Sequence, residues 1–100
     1  MRVIARRNLV AFAARRGDSR RSLEHWLAVV RAAEWKSMSE VRHAFSKAKA
    51  LNGDRVRFEI QGGEFRLIAA FDFRRQVAFV KFIGTHADYD RIDARTVSQF

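Results

Sequence analysis

One hundred residues are enough for one domain with a modest hydrophobic core, expected over residues 1–100 with no room for a second. Apolar residues make up 48% and charged residues 31%, which excludes a disordered chain, and the lack of cysteine excludes disulfides and thiolate metal sites. The formal net charge is +9 and 16 of the 20 basic residues are arginine, so an anionic partner is expected, with guanidinium groups suited to phosphate.

The charge is unevenly spread. Met1–Ser22 holds seven Arg against one Asp, whereas His86–Phe100 holds two Arg against three Asp. A nucleic-acid partner fits this pattern better than an anionic membrane surface, because no strongly basic amphipathic helix carries a Trp-rich face. No apolar run approaches the roughly 18 residues of a membrane span, and no secretory segment is present. A transit peptide would also be Arg-rich and poor in acid, but Leu9, Phe12 and Ala13 read as the inner stripe of a helix. A soluble cytoplasmic protein with no cofactor is expected.

Arg2 to Ala5 can form a short edge strand. From Arg6 to Arg16 the apolar positions fall at helical spacing, with arginines on the other faces. Gly17 stops that helix, and Asp18 or Ser19 can cap a second one. Leu23, Trp26, Leu27, Val30 and Ala33 then keep the i, i+3, i+4, i+7 pattern. Trp26 and Trp35 could serve as base-stacking platforms, but their placement on apolar stripes assigns them to the core. Ser37-Met38-Ser39-Glu40 has the form of a capping box opening a short helix to about Phe45. Lys47 to Asp54 reads as a loop.

After Asp54 the apolar period changes from 3.6 to 2. Val56, Phe58 and Ile60 alternate with Arg55, Arg57 and Glu59, and Gly62-Gly63 is a two-residue hairpin turn. Glu64 to Phe71 places Phe65, Leu67, Ala69 and Phe71 on one face. Asp72 to Arg75 turns the chain, and Gln76 to Ile83 returns with Ala78, Val80 and Phe82 inward. Thr85-His86-Ala87-Asp88 is a second capping-box pattern before a short C-terminal helix. The expected architecture is α+β: N-terminal helices on one face of a three-stranded antiparallel meander, then a short helix.

These turns pair Glu59 with Arg66 and Phe58 with Leu67, and on the other side Arg66 with Lys81 and Phe65 with Phe82. The open face then gathers Arg57, Glu59, Arg66 and Lys81, with Ile68 and Phe79 between them. Opposed cations need an anion, and either Glu59 or an RNA phosphate satisfies them. His86, Tyr89 and Asp90 share one face of the last helix. RNA cleavage through the 2′-hydroxyl needs a base, an acid and cations for the phosphate, which His86, Tyr89 and Arg66 or Lys81 could supply. A lone histidine at a helix start also serves simply as a capping or surface residue. His25 and His43 show no metal spacing with it, so no metal site is expected.

The stretches Arg55–Ile60, Gly62, Arg66-Leu67 and above all Phe82–Asp93, with Gly84-Thr85-His86-Ala87-Asp88-Tyr89-Asp90 at its centre, resemble the HigB toxin family. Ala33–Ser37 resembles it too, and the likeness covers nearly the whole chain. It implies a RelE-like fold, mRNA cleavage within the ribosome and neutralisation by a HigA-type helix-turn-helix antitoxin, through which alone operator DNA would be reached. Position 63 is Gly where many relatives have Asn, and Phe65 stands where Tyr is common. Gly keeps the turn geometry; RNA contacts by the missing groups are what these departures put in question.

The expected function is a metal-independent, ribosome-associated endoribonuclease toxin. Its expected catalytic residues are Arg66, His86, Tyr89 and Asp90. Arg57, Arg66, Lys81, Arg74 and Arg75 are expected to contact RNA. A non-catalytic RNA- or ribosome-binding module would carry the same charge, as would a protein that docks an acidic partner.

Overall fold

The computed structural model describes residues 1–100. In chain order its elements are β1 (Arg2–Ile4), α1 (Arg6–Arg15), α2 (Arg20–Ala32), α3 (Met38–Ala44), β2 (Lys49–Asn52), β3 (Arg55–Ile60), β4 (Phe65–Asp72), β5 (Val77–Thr85) and α4 (His86–Asp90). A 3-10 turn at Gly17–Ser19 joins α1 to α2. The strands form one mixed sheet in the order β1-β5-β4-β3-β2, in which β1 runs parallel to β5 and every other pair is antiparallel. This is the α+β class that the patterning gave.

The helices form where apolar residues recur at helical spacing. Leu9, Phe12 and Ala13 of α1 and Leu23, Trp26, Leu27 and Val30 of α2 are buried, and they share one cluster with Val41 of α3 and the core face of the sheet. Phe58 is central: Trp26, Phe45 and Phe71 meet its ring edge-on at 5.4, 5.2 and 6.2 Å. Each such aromatic contributes about 1.5–3 kcal/mol by burial alone. Both tryptophans are core residues, Trp26 at 1% and Trp35 at 8% exposure.

Two caps differ from expectation. Ser19 precedes α2 but its hydroxyl makes no cap; it donates back to the Arg16 carbonyl at 2.6 Å within the 3-10 turn. Ser37 accepts from the Glu40 N–H, as a cap should. The Glu40 carboxylate, however, accepts from the Lys36 N–H at 2.6 Å, one residue earlier than a capping box requires.

The sheet is larger than the expected meander. Part of the Lys47–Asp54 loop is in fact β2, a short exposed edge strand paired with β3, with a bulge at Leu51. Four residues with little alternation read as loop in the sequence; backbone pairing to β3 makes them a strand. At the first hairpin the expected pairs hold, Glu59 with Arg66 and Phe58 with Leu67. The turn is wider than two residues, however, because the ladder closes at Ile60 and Phe65. Gln61, Gly62 and Gly63 have φ of 54°, 63° and 92°, a left-handed run that glycine permits at little cost. The Gln61 N–H donates to Ser22 Oγ at 2.9 Å and so ties this turn to α2.

The second hairpin departs further. Its turn spans Phe73 to Gln76, closing on Asp72 and Val77. Gln76, at φ 57°, donates from its side chain to the carbonyls of Trp35 and Phe73. The longer turn and a bulge between Val80 and Phe82 shift the register, so Arg66 faces Gly84 rather than Lys81, and Phe65 faces Thr85 rather than Phe82. The bulge also reverses the facing of the strand. Ala78 and Val80 point into the helical core, but beyond the bulge Ile83 does so, and Phe82 lies on the other face opposite Ile68.

That second face is not open. The segment after α4 crosses it: Arg55 Nη1 donates to the carbonyls of Ala94 and Val97 at 3.2 and 2.7 Å, and Asn52 Nδ2 to that of Arg95 at 3.3 Å. Gln99 then bonds the edge of β5, its N–H to the Lys81 carbonyl and its side-chain oxygen from the Ile83 N–H, each at 2.9 Å. Ile68, Ala70 and Phe82 are buried here, apolar residues that an open face would have left in water.

Candidate nucleic-acid interface and active site

The second face of the sheet, where β3, β4 and β5 approach α4, gathers most of the expected site. Although Glu59 and Arg66 are opposite in the ladder, they form no ion pair. Glu59 Oε2 lies 3.6 Å from Arg57 Nη2, and Arg66 has no carboxylate within 4.0 Å. Arg66 Nε instead donates to the Gly63 carbonyl at 3.2 Å, and its guanidinium carbon sits 5.8 Å from the centre of the Tyr89 ring. The same tyrosine meets Phe82 edge-on, with ring centres 6.3 Å apart. The bulge that turned Phe82 away from the core therefore gives Tyr89 its support.

Gly63 and Gly84 hold this arrangement close. A Cβ on Gly63 would stand 2.7 Å from Glu59 Oε1, and one on Gly84 would stand 2.8 Å from the end of the Phe82 ring and 3.1 Å from Asp88 Cβ. The Arg57 Nε is buried without a hydrogen-bond partner, which leaves an arginine donor unused beside Glu59.

Helix α4 starts on a complete capping box. Thr85 Oγ1 accepts from the Asp88 N–H at 3.0 Å, and the Asp88 carboxylate accepts from the Thr85 N–H at 3.1 Å. The His86 N–H donates to the Glu64 carbonyl at 3.0 Å, fixing the helix start to the residue just before β4. One turn on, His86 Nδ1 lies 3.1 Å from Asp90 Oδ2. A carboxylate only accepts, so in this hydrogen bond the ring donates from Nδ1.

The hydrogen bond from the Thr85 backbone, then that with its side chain, holds the Asp88 carboxyl below its usual value of 3.8, helped by the charges of Arg91 and Arg16 and opposed by slight burial. A depressed carboxylate stabilises the helix start above the ordinary carboxylate range, and that contribution is lost as pH falls through the lower, folded value. The Thr85 amide resonance should therefore titrate with a midpoint below 3.8. A midpoint at or above the ordinary value would show that the box does not hold in solution.

The structure brings Arg66 and Tyr89 together, places Arg57 on the same sheet face beside Glu59, and carries His86 and Asp90 on the same short helix as Tyr89. Lys81 sits in the β5 bulge with its ammonium 5.6 Å from the Phe79 ring, away from the position opposite Arg66. Arg74 and Arg75 lie in the β4–β5 turn, at the other end of the hairpin. Asp72 lies six residue steps along the strand from Arg66, about 20 Å of chain. Arg74 and Arg75 can meet a long polyanion but not the same phosphate as Arg66. Sequence reasoning missed Phe82, which backs Tyr89, because its facing depends on a bulge. It also missed Arg16, whose guanidinium lies 4.8 Å over Phe65 at the end of the sheet where α4 begins.

The fold and this cluster define a small basic α+β protein with guanidinium groups and a capped His–Asp pair at one end of its sheet. A family model described as HigB_toxin, the RelE-like toxic component of a toxin-antitoxin system, matches residues 19–92. The chain belongs to that family, and its α+β fold is consistent with the RelE-like class; its role is that of a toxin, and an antitoxin is its partner. A comparison with curated proteins returned no match. No helix is long and apolar enough to cross a membrane.

Proposed function

We propose that this toxin is a cytoplasmic endoribonuclease that cleaves translated mRNA on the ribosome without a metal ion, with residues 1–100 acting as one toxin domain, and that a HigA-type helix-turn-helix antitoxin neutralises it. The observation that supports this most is Arg66: a guanidinium with no carboxylate partner, resting on Tyr89, on the face that α4 borders. Buried or half-buried cations without anions attract one from outside.

In this reaction the 2′-oxygen attacks phosphorus and the bond to the 5′-oxygen breaks, leaving a 2′,3′-cyclic phosphate and a 5′-hydroxyl. The 2′-hydroxyl gives up a proton and the 5′-oxygen gains one. Arg66 stabilises charge on the pentavalent phosphate, and Arg57, on the same sheet face, contacts the RNA. His86 exchanges a proton through Nε2 while Asp90 orients the ring, and Tyr89 stacks on the substrate or protonates it.

Mapping mRNA 5′ ends after brief induction tests the proposal, with new 5′-hydroxyl ends inside translated frames as the expected result. Slowed translation without new ends would instead identify a non-catalytic ribosome-binding module. Because several phosphates are neutralised, ribosome binding should weaken by roughly tenfold or more between about 50 and 200 mM salt. Binding that ignores salt would point to a protein-docking surface.

A further inference from the structure

A groove of about 590 Å³ runs between β2 and the segment that follows α4. Tyr89, the apolar Leu51 and Ile92, and the cations Lys49 and Arg95 all line it. We infer that this groove is a second nucleotide subsite, taking the base and phosphate of a single-stranded RNA residue next to the one held at Arg66. The inference rests on the ribonuclease reading.

Three features of the chain build the groove. The bulge at Leu51 leaves that residue without a partner on β3, between the pairs Ala50–Val56 and Asn52–Arg55, and its side chain contributes to the wall. The opposite wall is fixed: Asn52 and Arg55 donate to three carbonyls of the crossing segment, those of Ala94, Arg95 and Val97. The outer edge of β2 has no strand partner, so main-chain donors and acceptors are available to a base edge.

The charge along the groove is suited to phosphate. Lys49 and Arg95 are exposed, and neither has a carboxylate within 4.0 Å. Asp93 is the one acidic residue lining the groove, and its carboxylate is engaged by the Arg95 N–H at 3.0 Å. An aromatic ring, apolar walls and two free cations make the combination by which single strands are held without a base-pairing partner. Tyr89 belongs to both this groove and the Arg66 cluster, so a strand passing from one to the other needs no break.

The test titrates a 2′-O-methylated A-A-A trinucleotide, which cannot be cleaved, into isotope-labelled toxin while amide resonances are followed. Saturable shifts at Ala50, Leu51, Ile92 and Ala94 are expected, and the Lys49→Ala/Arg95→Ala variant should bind roughly tenfold more weakly. Shifts confined to Gly63, Arg66 and His86, or none at millimolar trinucleotide, would overturn the subsite. Cleavage of mRNA on ribosomes is scored separately with the parent protein. Cleavage without groove shifts removes the subsite alone, and groove shifts without cleavage remove the ribonuclease reading alone.

Discussion

Arg66→Gln should slow mRNA cleavage on ribosomes by roughly a hundredfold or more while leaving the fold intact. The expected loss is large because Arg66 is the one β4 cation on this face, and no protein carboxylate within 4.0 Å competes for it. The cost to stability is small for the same reason. The side chain gives up one hydrogen bond to the Gly63 carbonyl and a half-exposed stack on Tyr89, together about 1–2 kcal/mol. His86→Gln separates proton transfer from charge stabilisation, since glutamine keeps hydrogen-bonding capacity but cannot exchange a proton near neutral pH. Both variants should remain bound by the antitoxin and be harmless when expressed alone. Single-turnover cleavage measured beside thermal melting distinguishes the outcomes. A folded Arg66→Gln protein that cleaves at the parental rate would remove Arg66 from the site.

The sequence carried the fold where local pattern decides it. The stripes Leu9-Phe12-Ala13 and Leu23-Trp26-Leu27-Val30, the alternation of β3 and the Thr85–Asp88 box each follow from residues within a turn or two of one another. What it could not carry depends on distant pairing. The Lys49–Asn52 strand exists because β3 offers it an edge. The β5 bulge arises from fitting nine residues against eight, and no local signal marks Lys81 as the extra one. That single residue moved Phe82 from the core to the Tyr89 ring, and together with the longer β4–β5 turn it carried Lys81 away from Arg66. The crossing of the sheet by residues after α4 was equally silent, since Arg55 and Asn52 reach carbonyls some forty positions away. The site was legible as residue types on the right elements; its partnerships were not, because they are set by register.

Trp26→Ala should destabilise the protein by about 3–5 kcal/mol, enough to leave a domain of this size close to unfolding. The side chain is 1% exposed, stands edge-on to Phe58 at 5.4 Å, and joins α2 to the centre of the sheet. Its removal leaves a cavity bordered by strands that cannot collapse without breaking the β3–β4 ladder. For about 100 residues such a loss lowers the melting temperature by more than roughly 12 °C. Trp26→Phe offers the sharper comparison. The Trp26 Nε1 is buried with no hydrogen-bond partner, and an unpaired buried donor costs about 1–3 kcal/mol. Phenylalanine loses packing volume but removes that penalty, so the net change should stay within about 2 kcal/mol. Urea unfolding measures both, read from the midpoint with the slope unchanged. A Trp26→Ala protein that melts like the parent yet no longer binds RNA would move Trp26 from the core to the RNA surface. A Trp26→Phe protein as unstable as Trp26→Ala would mean that the indole nitrogen is bonded in solution, and that its hydrogen bond, rather than ring packing, anchors α2.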